Sequence, residues 1–158
     1  MAPISKWFNF QFIIMTKRYL ITGSKGQLGG RLKEMLPGSL TPTRSDFDLA
    51  DFSAMEQYFA NHEFDTVIHC AARTSPPVIN KDPTAAIADN IIATGNLALL
   101  CNKYQKRLIY ISTDYVYSGV KGNYKETDSL YPVNNYAWSK LGGECAVRLL
   151  DNYVIIRL

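Results

Sequence analysis

Arg18-Tyr-Leu-Ile-Thr-Gly-Ser-Lys-Gly-Gln-Leu-Gly-Gly-Arg-Leu-Lys-Glu-Met-Leu36 reads as a strand, a glycine turn and a helix in immediate succession. Tyr19, Leu20 and Ile21 form a short β-favouring apolar run that stops at Gly23, while Leu28, Leu32, Met35 and Leu36 recur at helical spacing on one face. The chain reverses between them at Gly23, Gly26 and Gly29. If this turn holds a dinucleotide, each glycine has its own task. Gly23 permits the tight turn, Gly26 admits a pyrophosphate close to the backbone, and Gly29 lets the helix lie against the strand. The helix N-terminus then presents unpaired N–H groups and a partial positive charge to the phosphates.

Outward from this stretch, the sequence alternates strand and helix to its end. Pro37 and Gly38 stop the first helix, and Ser39 to Thr43 reads as a short second strand followed by Arg44. Ser53 with Glu56 reads as a capping box that opens a helix with Met55, Tyr58 and Phe59 on its inner face. Thr66 to Cys70 is a third strand. Asp82-Pro83 starts a helix reaching about Lys103, with Ile87, Ile91, Leu97, Leu100 and Cys101 available to face a sheet. Arg107 to Ser112 is a fourth strand, 135 to 150 a helix, and Tyr153 to Arg157 a fifth strand. This order predicts an α/β fold, a doubly wound parallel sheet of Rossmann type with the ligand at the carboxyl ends of the strands. The loop from Thr113 to Asn134 is longer than a simple connection requires, which marks it as functional.

Composition narrows the classes. At 158 residues the chain is about one domain long, and its formal charge of +3 is scattered, with no basic run to attract nucleic acid. Cys70, Cys101 and Cys145 lie far apart without metal-ligand spacing and read as buried free thiols of a reducing, cytoplasmic compartment. Residues 1–14 are apolar but too short to span a bilayer and lack a cleavage site, so no membrane role is expected. They read as a leader or variable arm, with the domain running from Met15 to Leu158.

Tyr136 and Lys140 stand four apart on the last predicted helix, so both project from one face about a turn apart. The preceding strand ends in Ser112-Thr113-Asp114, beside the expected crevice. A phenol titrates near pH 10 and is a poor acid-base group at neutral pH until an ammonium favours the phenolate, the service Lys140 would provide. Thr113 would bond a carbonyl oxygen, Tyr136 would protonate it, and a nicotinamide cofactor would supply hydride.

Ile111 to Gly119 (ISTDYVYSG), Tyr124 to Asp128 (YKETD), Pro132 to Glu144 (PVNNYAWSKLGGE) and His69 to Ala72 (HCAA) resemble the extended short-chain dehydrogenase/reductases, most of all the dTDP-4-dehydrorhamnose reductase family. The resemblance runs from about Lys17 to Leu158. It implies catalytic roles for Thr113, Tyr136 and Lys140, with the two latter also holding cofactor. It implies a pyrophosphate turn at Gly23, Gly26, Gln27, Leu28 and Gly29, nucleotide-lining backbone at Ala71 and Ala72, and a supporting role for Asn90. Asp48 and Leu49 resemble the family's acidic-apolar pair near the adenine. Where NAD-preferring relatives end the second strand in a carboxylate, this chain has Thr43-Arg44-Ser45, which suits a 2′-phosphate. NADP(H) is therefore the expected cofactor, with NAD(H) as the alternative. His69 reads as a strand-end histidine without catalytic work.

The activity implied is NADPH-dependent reduction of a nucleotide-linked 4-keto-6-deoxy sugar. Epimerisation or dehydration of a nucleotide sugar is an alternative within the superfamily. A different class of alternative is a non-catalytic cofactor-binding partner, since the regulatory subunit of methionine adenosyltransferase resembles the same family. The resemblance is compatible with a homo-oligomer. Members continue well beyond the equivalent of Leu158 into a substrate-binding portion, so this chain is expected to be the cofactor-binding half, with little turnover and an uncovered fifth strand.

Overall fold

The computed structural model describes residues 18–158; the expectations about residues 1–14 and the start at Met15 lie outside them. Four parallel strands, β1 (Tyr19–Thr22), β2 (Thr66–His69), β3 (Arg107–Ser112) and β4 (Tyr153–Arg157), lie side by side in that order. Parallel strands need crossovers, and the helices supply them: α1 (Gln27–Met35), α2 (Phe52–Asn61), α3 (Pro76–Lys81), α4 (Pro83–Lys103) and α5 (Asn135–Val147).

The register runs Leu20↔Val67↔Leu108↔Tyr153 across the sheet. The first three of these are fully buried and, with Tyr110, form one core with Met55 and Phe59 of α2, Leu97, Leu100 and Cys101 of α4, and Val147 of α5. All four residues of β2 are buried, as a strand covered on both faces requires. Edge strand β4 has no fully buried residue. On the opposite face Ile21 and Ile68 are buried, whereas Ile109 and Val154 in the same row are only half-buried.

The expected second strand shrinks to a single parallel bridge, Leu40 to Leu20, on the other side of β1 from β2. Thr43 then turns the chain away, because Asp46 accepts hydrogen bonds from both its N–H (2.9 Å) and its hydroxyl (2.7 Å). A side chain that satisfies the backbone locally competes with the sheet ladder. Counting Leu40, the strand order is 2-1-3-4-5, and the reversal of direction at β1 opens a crevice at the carboxyl ends of β1 and β2.

Other local expectations shift. The cap of α2 is Asp51, which accepts from Ala54 N–H at 3.0 Å, while Glu56 is drawn outward to Lys103 at 2.6 Å. Ser53 and Glu56 therefore form no capping box. In α1 only Gly29 is fully buried, whereas Leu28 and Met35 are exposed because the helix approaches β1 by its glycine side. Cys101 is buried, Cys70 half-buried and Cys145 exposed, so the thiols do not share one environment.

Helix α4 starts as the sequence indicated, with Asp82 accepting from Ala85 N–H at 3.3 Å and Pro83 in the first turn. It is long and apolar enough to cross a membrane, but its inner residues Leu97, Ala98, Leu100 and Cys101 are buried in the core. A π-turn at Ile87–Ile92 interrupts it. The wider turn resets the helical phase, leaving Ile87 exposed rather than against the sheet, and places Asn90 inward at 1% exposure.

Candidate active site

The glycine turn has the geometry its spacing implied. Gly23 adopts φ +69°, and a Cβ there would lie 2.6 Å from the Ala71 nitrogen. A Cβ on Gly29 would lie 2.3 Å from the Gly23 carbonyl oxygen. Neither position tolerates a side chain, so the turn, α1 and the end of β2 meet in close backbone contact. Gly26 is the N-cap of α1, with Gln27 and Leu28 exposed in its first turn.

A cleft of about 440 Å³ opens beside this turn. Of the residues singled out from sequence, Gly23, Arg44, Asp48, Leu49, Ala71 and Ala72 line it. Its volume lies within the usual range for ligand sites, roughly 300 to 1,000 Å³. Arg44 is exposed and only loosely paired with Asp48 at 3.5 Å, leaving its guanidinium available to an anion. Lys25 and Arg73 also line the cleft and were not singled out from sequence. Lys25 sits inside the glycine turn and was legible there as a cation beside a phosphate site. Arg73, by contrast, is claimed by Asp89 at 2.7 Å.

Asn90 binds this wall to the last helix. Its Oδ1 accepts from Arg73 N–H at 2.8 Å, and its Nδ2 donates to the Arg73 carbonyl and to Ser139 Oγ, both at 2.9 Å. Ser139 Oγ in turn donates to the Tyr136 carbonyl at 2.7 Å. Next to it runs a buried relay through His69. Thr94 Oγ1 donates to the Asn90 carbonyl (2.8 Å), so it accepts from His69 Nε2–H (3.1 Å), and His69 Nδ1 accepts from Thr22 Oγ1 (2.7 Å). Burial, reinforced by the Lys140 charge, lowers the His69 pKa to about 3. A neutral ring with both nitrogens committed is a structural cross-brace between β1, β2 and α4, in keeping with its reading as non-catalytic.

Thr113, Tyr136 and Lys140 gather where β3 ends and α5 begins. Asn134 caps α5 by accepting from Ala137 N–H at 2.8 Å, which fixes the first turn carrying Tyr136. Thr113 is 5% exposed and accepts from Tyr115 N–H at 3.3 Å. Burial raises the Tyr136 pKa; the neighbouring Thr113 hydroxyl pulls it down, while Asp114 and Tyr115 add to the rise. Lys140 follows Tyr136 by one turn on α5. Its ammonium lies over the Tyr110 ring, 4.1 Å from the centroid, and the Tyr110 hydroxyl donates to the Lys140 carbonyl at 3.2 Å. Lys140 is 2% exposed, and burial lowers its pKa to about 7 although Glu144 and Cys70 oppose the shift.

A larger hollow, about 800 Å³, lies along β4 and is lined by Asp114, Tyr115, Tyr117, Tyr124, Ile156 and Arg157 among others. It is lined by the loop after β3, next to Thr113, and by none of the glycine turn. The glycine turn, the ends of β1 and β2 and the cations Lys25, Arg44 and Arg73 meet at the smaller cavity. Among the described residues no cluster of His, Cys, Asp or Glu has the makings of a metal site.

A parallel sheet with a glycine turn after its first strand, a crevice at the reversal point and a Tyr-x-x-x-Lys helix beside it defines a dinucleotide-binding fold of the short-chain dehydrogenase/reductase type. Residues 17–158 match the family described as RmlD substrate binding domain, and the chain belongs to that family. It is 37% identical over 150 residues to a dTDP-4-dehydrorhamnose reductase of Mycolicibacterium smegmatis, covering 90% of this chain and 45% of that one. It is 35% identical over 145 residues to methionine adenosyltransferase 2 subunit beta of Bos taurus, covering 85% and 43%. Among solved structures, dTDP-4-dehydrorhamnose reductase from Bacillus anthracis in complex with NADP superposes with a TM-score of 0.85 at 33% identity, covering 89% of this chain and 52% of that one. The chain spans about half the length of these relatives.

Proposed function

We propose that the chain is the cofactor-binding half of an NADPH-dependent reductase acting on the 4-keto group of a nucleotide-linked 6-deoxy sugar. What carries the reading is the meeting of Thr113 and Tyr136 at the carboxyl end of β3 with Lys140 one turn further along α5, on the same end of the sheet as the glycine-turn cleft. The relatives named as dTDP-4-dehydrorhamnose reductases support the substrate class, and the NADP complex of one supports the cofactor.

In this reading Gly23, Gly26, Gln27, Leu28 and Gly29 surround the pyrophosphate, Asp48 and Leu49 flank the adenine, and Ala71 and Ala72 line the nucleotide with their backbone. Arg44, helped by Lys25, meets the 2′-phosphate. Bound NADPH supplies the hydride. Thr113 donates a hydrogen bond to the ketone oxygen and orients it, and Tyr136 delivers the proton to that oxygen as charge develops. Lys140 holds the nicotinamide ribose and, once charged, lowers the cost of the phenolate left on Tyr136. Asn90 keeps the first turn of α5 in place through Ser139. The substrate partner is a nucleotide sugar, the expected setting is the cytoplasm, and self-association is open to test by sedimentation.

Calorimetric titration with NADPH and NADH tests the cofactor. NADPH should bind tighter by on the order of tenfold to a hundredfold, the worth of one charged hydrogen bond of about 1.5 to 3 kcal/mol, and Arg44→Ala should remove the difference. Equal affinities in the parent chain refute the assignment. Turnover of a nucleotide 4-keto-6-deoxy sugar tests the activity in a protein that also contains a substrate-binding half. A second reading, a cofactor-binding partner subunit, is favoured by the relatives named methionine adenosyltransferase 2 subunit beta. NADPH binding without ketone reduction in such a two-half protein would favour it.

A further inference from the structure

Lys140 is nearly enclosed, yet it takes part in no ion pair and its ammonium in no hydrogen bond among the described residues; the amine lies over the face of Tyr110, 4.1 Å from the ring centroid. The expected partner is one turn along the same helix. Glu144 is fully buried at i+4, the spacing at which a lysine and a glutamate on a helix meet. Its carboxylate is already committed. Arg157 Nε donates to Oε1 at 3.0 Å and its NH2 to Oε2 at 2.7 Å, a two-point grip, Ser112 Oγ donates to Oε1 at 2.6 Å, and the half-exposed Arg148 stands further off at 3.9 Å from Oε2. Arg157 is itself held by the Tyr117 hydroxyl and lies over the Tyr117 ring. The other titratable groups around Lys140 are His69 and Cys70 at the end of β2, Tyr110 on β3 and Tyr136 on α5. His69 is neutral, and burial raises the Cys70 and Tyr110 groups so that they stay protonated at neutral pH. None offers Lys140 a counter-charge.

We propose that Arg157 is a positioning residue which, by its two-point grip on Glu144, keeps the Lys140 amine unpaired, so that NADPH binding is accompanied by proton uptake at Lys140. This rests on the cofactor reading above. The ribose hydroxyl oxygens accept hydrogen bonds that favour the charged amine, and the anionic cofactor adds its own field, so ligand and proton bind together. Without Arg157, Glu144 keeps only the half-exposed Arg148 at 3.9 Å from Oε2, and Lys140, one turn back on the same buried helix face, is free to turn to the vacated carboxylate. The pair then closes, the amine is charged before the cofactor arrives, and the coupling is lost.

The test is calorimetry of NADPH binding at pH 7, 8 and 9 in buffers of different ionisation enthalpy, which reads the protons exchanged per cofactor. The parent chain should take up a large fraction of one proton at pH 8, and Lys140→Met none. Arg157→Gln should bind NADPH with little uptake and a flatter pH profile. The double variant Glu144→Gln/Arg157→Gln leaves no buried carboxylate to recapture Lys140 and no stranded charge, so uptake should return to the parent level. A role in folding alone would not give that reversal, and the double variant keeps the test decisive if Arg157→Gln does not fold. NADPH binding without uptake in the parent chain, or loss of uptake in the double variant, overturns the proposal while leaving the cofactor reading intact. Failure of the parent chain to bind NADPH overturns both.

Discussion

Replacing Lys140 by Met should make the isolated chain more stable at neutral pH and remove a specific part of its pH dependence. The lysine is 2% exposed, and its pKa falls from the ordinary 10.5 to about 7 because burial disfavours the cation. Between these values the unfolded chain binds more protons than the folded one, so stability rises with pH across that window and the penalty is felt in full below about pH 7. Integrated from pH 7 to pH 9, this contributes about 2 kcal/mol. Cys70 and Cys101 act with opposite sign. Their pKa values are raised from 9.0 to about 11 and about 12, so stability they supply at neutral pH begins to fade near pH 9. The difference between parent and variant cancels them. Methionine fills a similar volume, and the cation–π attraction to the Tyr110 ring that it forgoes is worth about 0.5 to 2 kcal/mol. In urea, with a slope of about 2 kcal/mol per molar, Lys140→Met should unfold later than the parent at pH 7, and the gap should narrow by about 1 M by pH 9. Parallel curves at both pH values would refute a buried, discharged lysine.

Three further outcomes are expected. In a protein that carries both halves, Tyr136→Phe should lower ketone reduction about 10² to 10⁴-fold in steady-state assays while leaving NADPH affinity largely intact; near-normal turnover would remove Tyr136 from the proton-donor role. Gly29→Ala should abolish NADPH binding measured by fluorescence titration, since its methyl group would sit 2.3 Å from the Gly23 carbonyl and force the turn open; unchanged binding would mean that the turn does not touch the cofactor. Asn90→Ala strands an N–H and a carbonyl of Arg73 and should cost about 1 to 3 kcal/mol in chemical denaturation, and a cost near zero would mean that water replaces it.

What was legible in the sequence was local chemistry. The glycine turn, the Asp82-Pro83 helix start, and strands β3 and β4 each carry their signal within a few residues, and each appears at the expected bounds. The second strand failed because Asp46 offered Thr43 a turn that competes with the ladder, a contest that β-propensity does not register. Helix α3 has no counterpart in the sequence reading; Pro76 and Pro77 fill its first turn, where proline has no N–H bond to lose. The capping box went astray when Glu56 found Lys103, 47 residues away. Within the candidate site, Gly23 followed from the glycine spacing, whereas Arg44, Asp48, Leu49, Ala71 and Ala72 came from the family resemblance, and all six line one cleft. The grip of Arg157 on Glu144 was not legible, because it depends on how α5 and β4 settle against each other rather than on any spacing in the chain.

The π-turn at Ile87–Ile92 gives α4 two independent phases, one set by the Asp82 cap and one by the core residues Leu97 to Cys101. A family alignment should therefore show insertions and deletions of one residue here as a separate event from those in the loops. Each residue of an α-helix turns the chain by about 100°. Deleting one within the wide turn would leave a well-formed helix and an intact core, but would swing Asn90 away from Arg73 and Ser139. Such a change would be silent to folding and costly to the site, so it is a natural route by which one lineage keeps the architecture while its chemistry lapses.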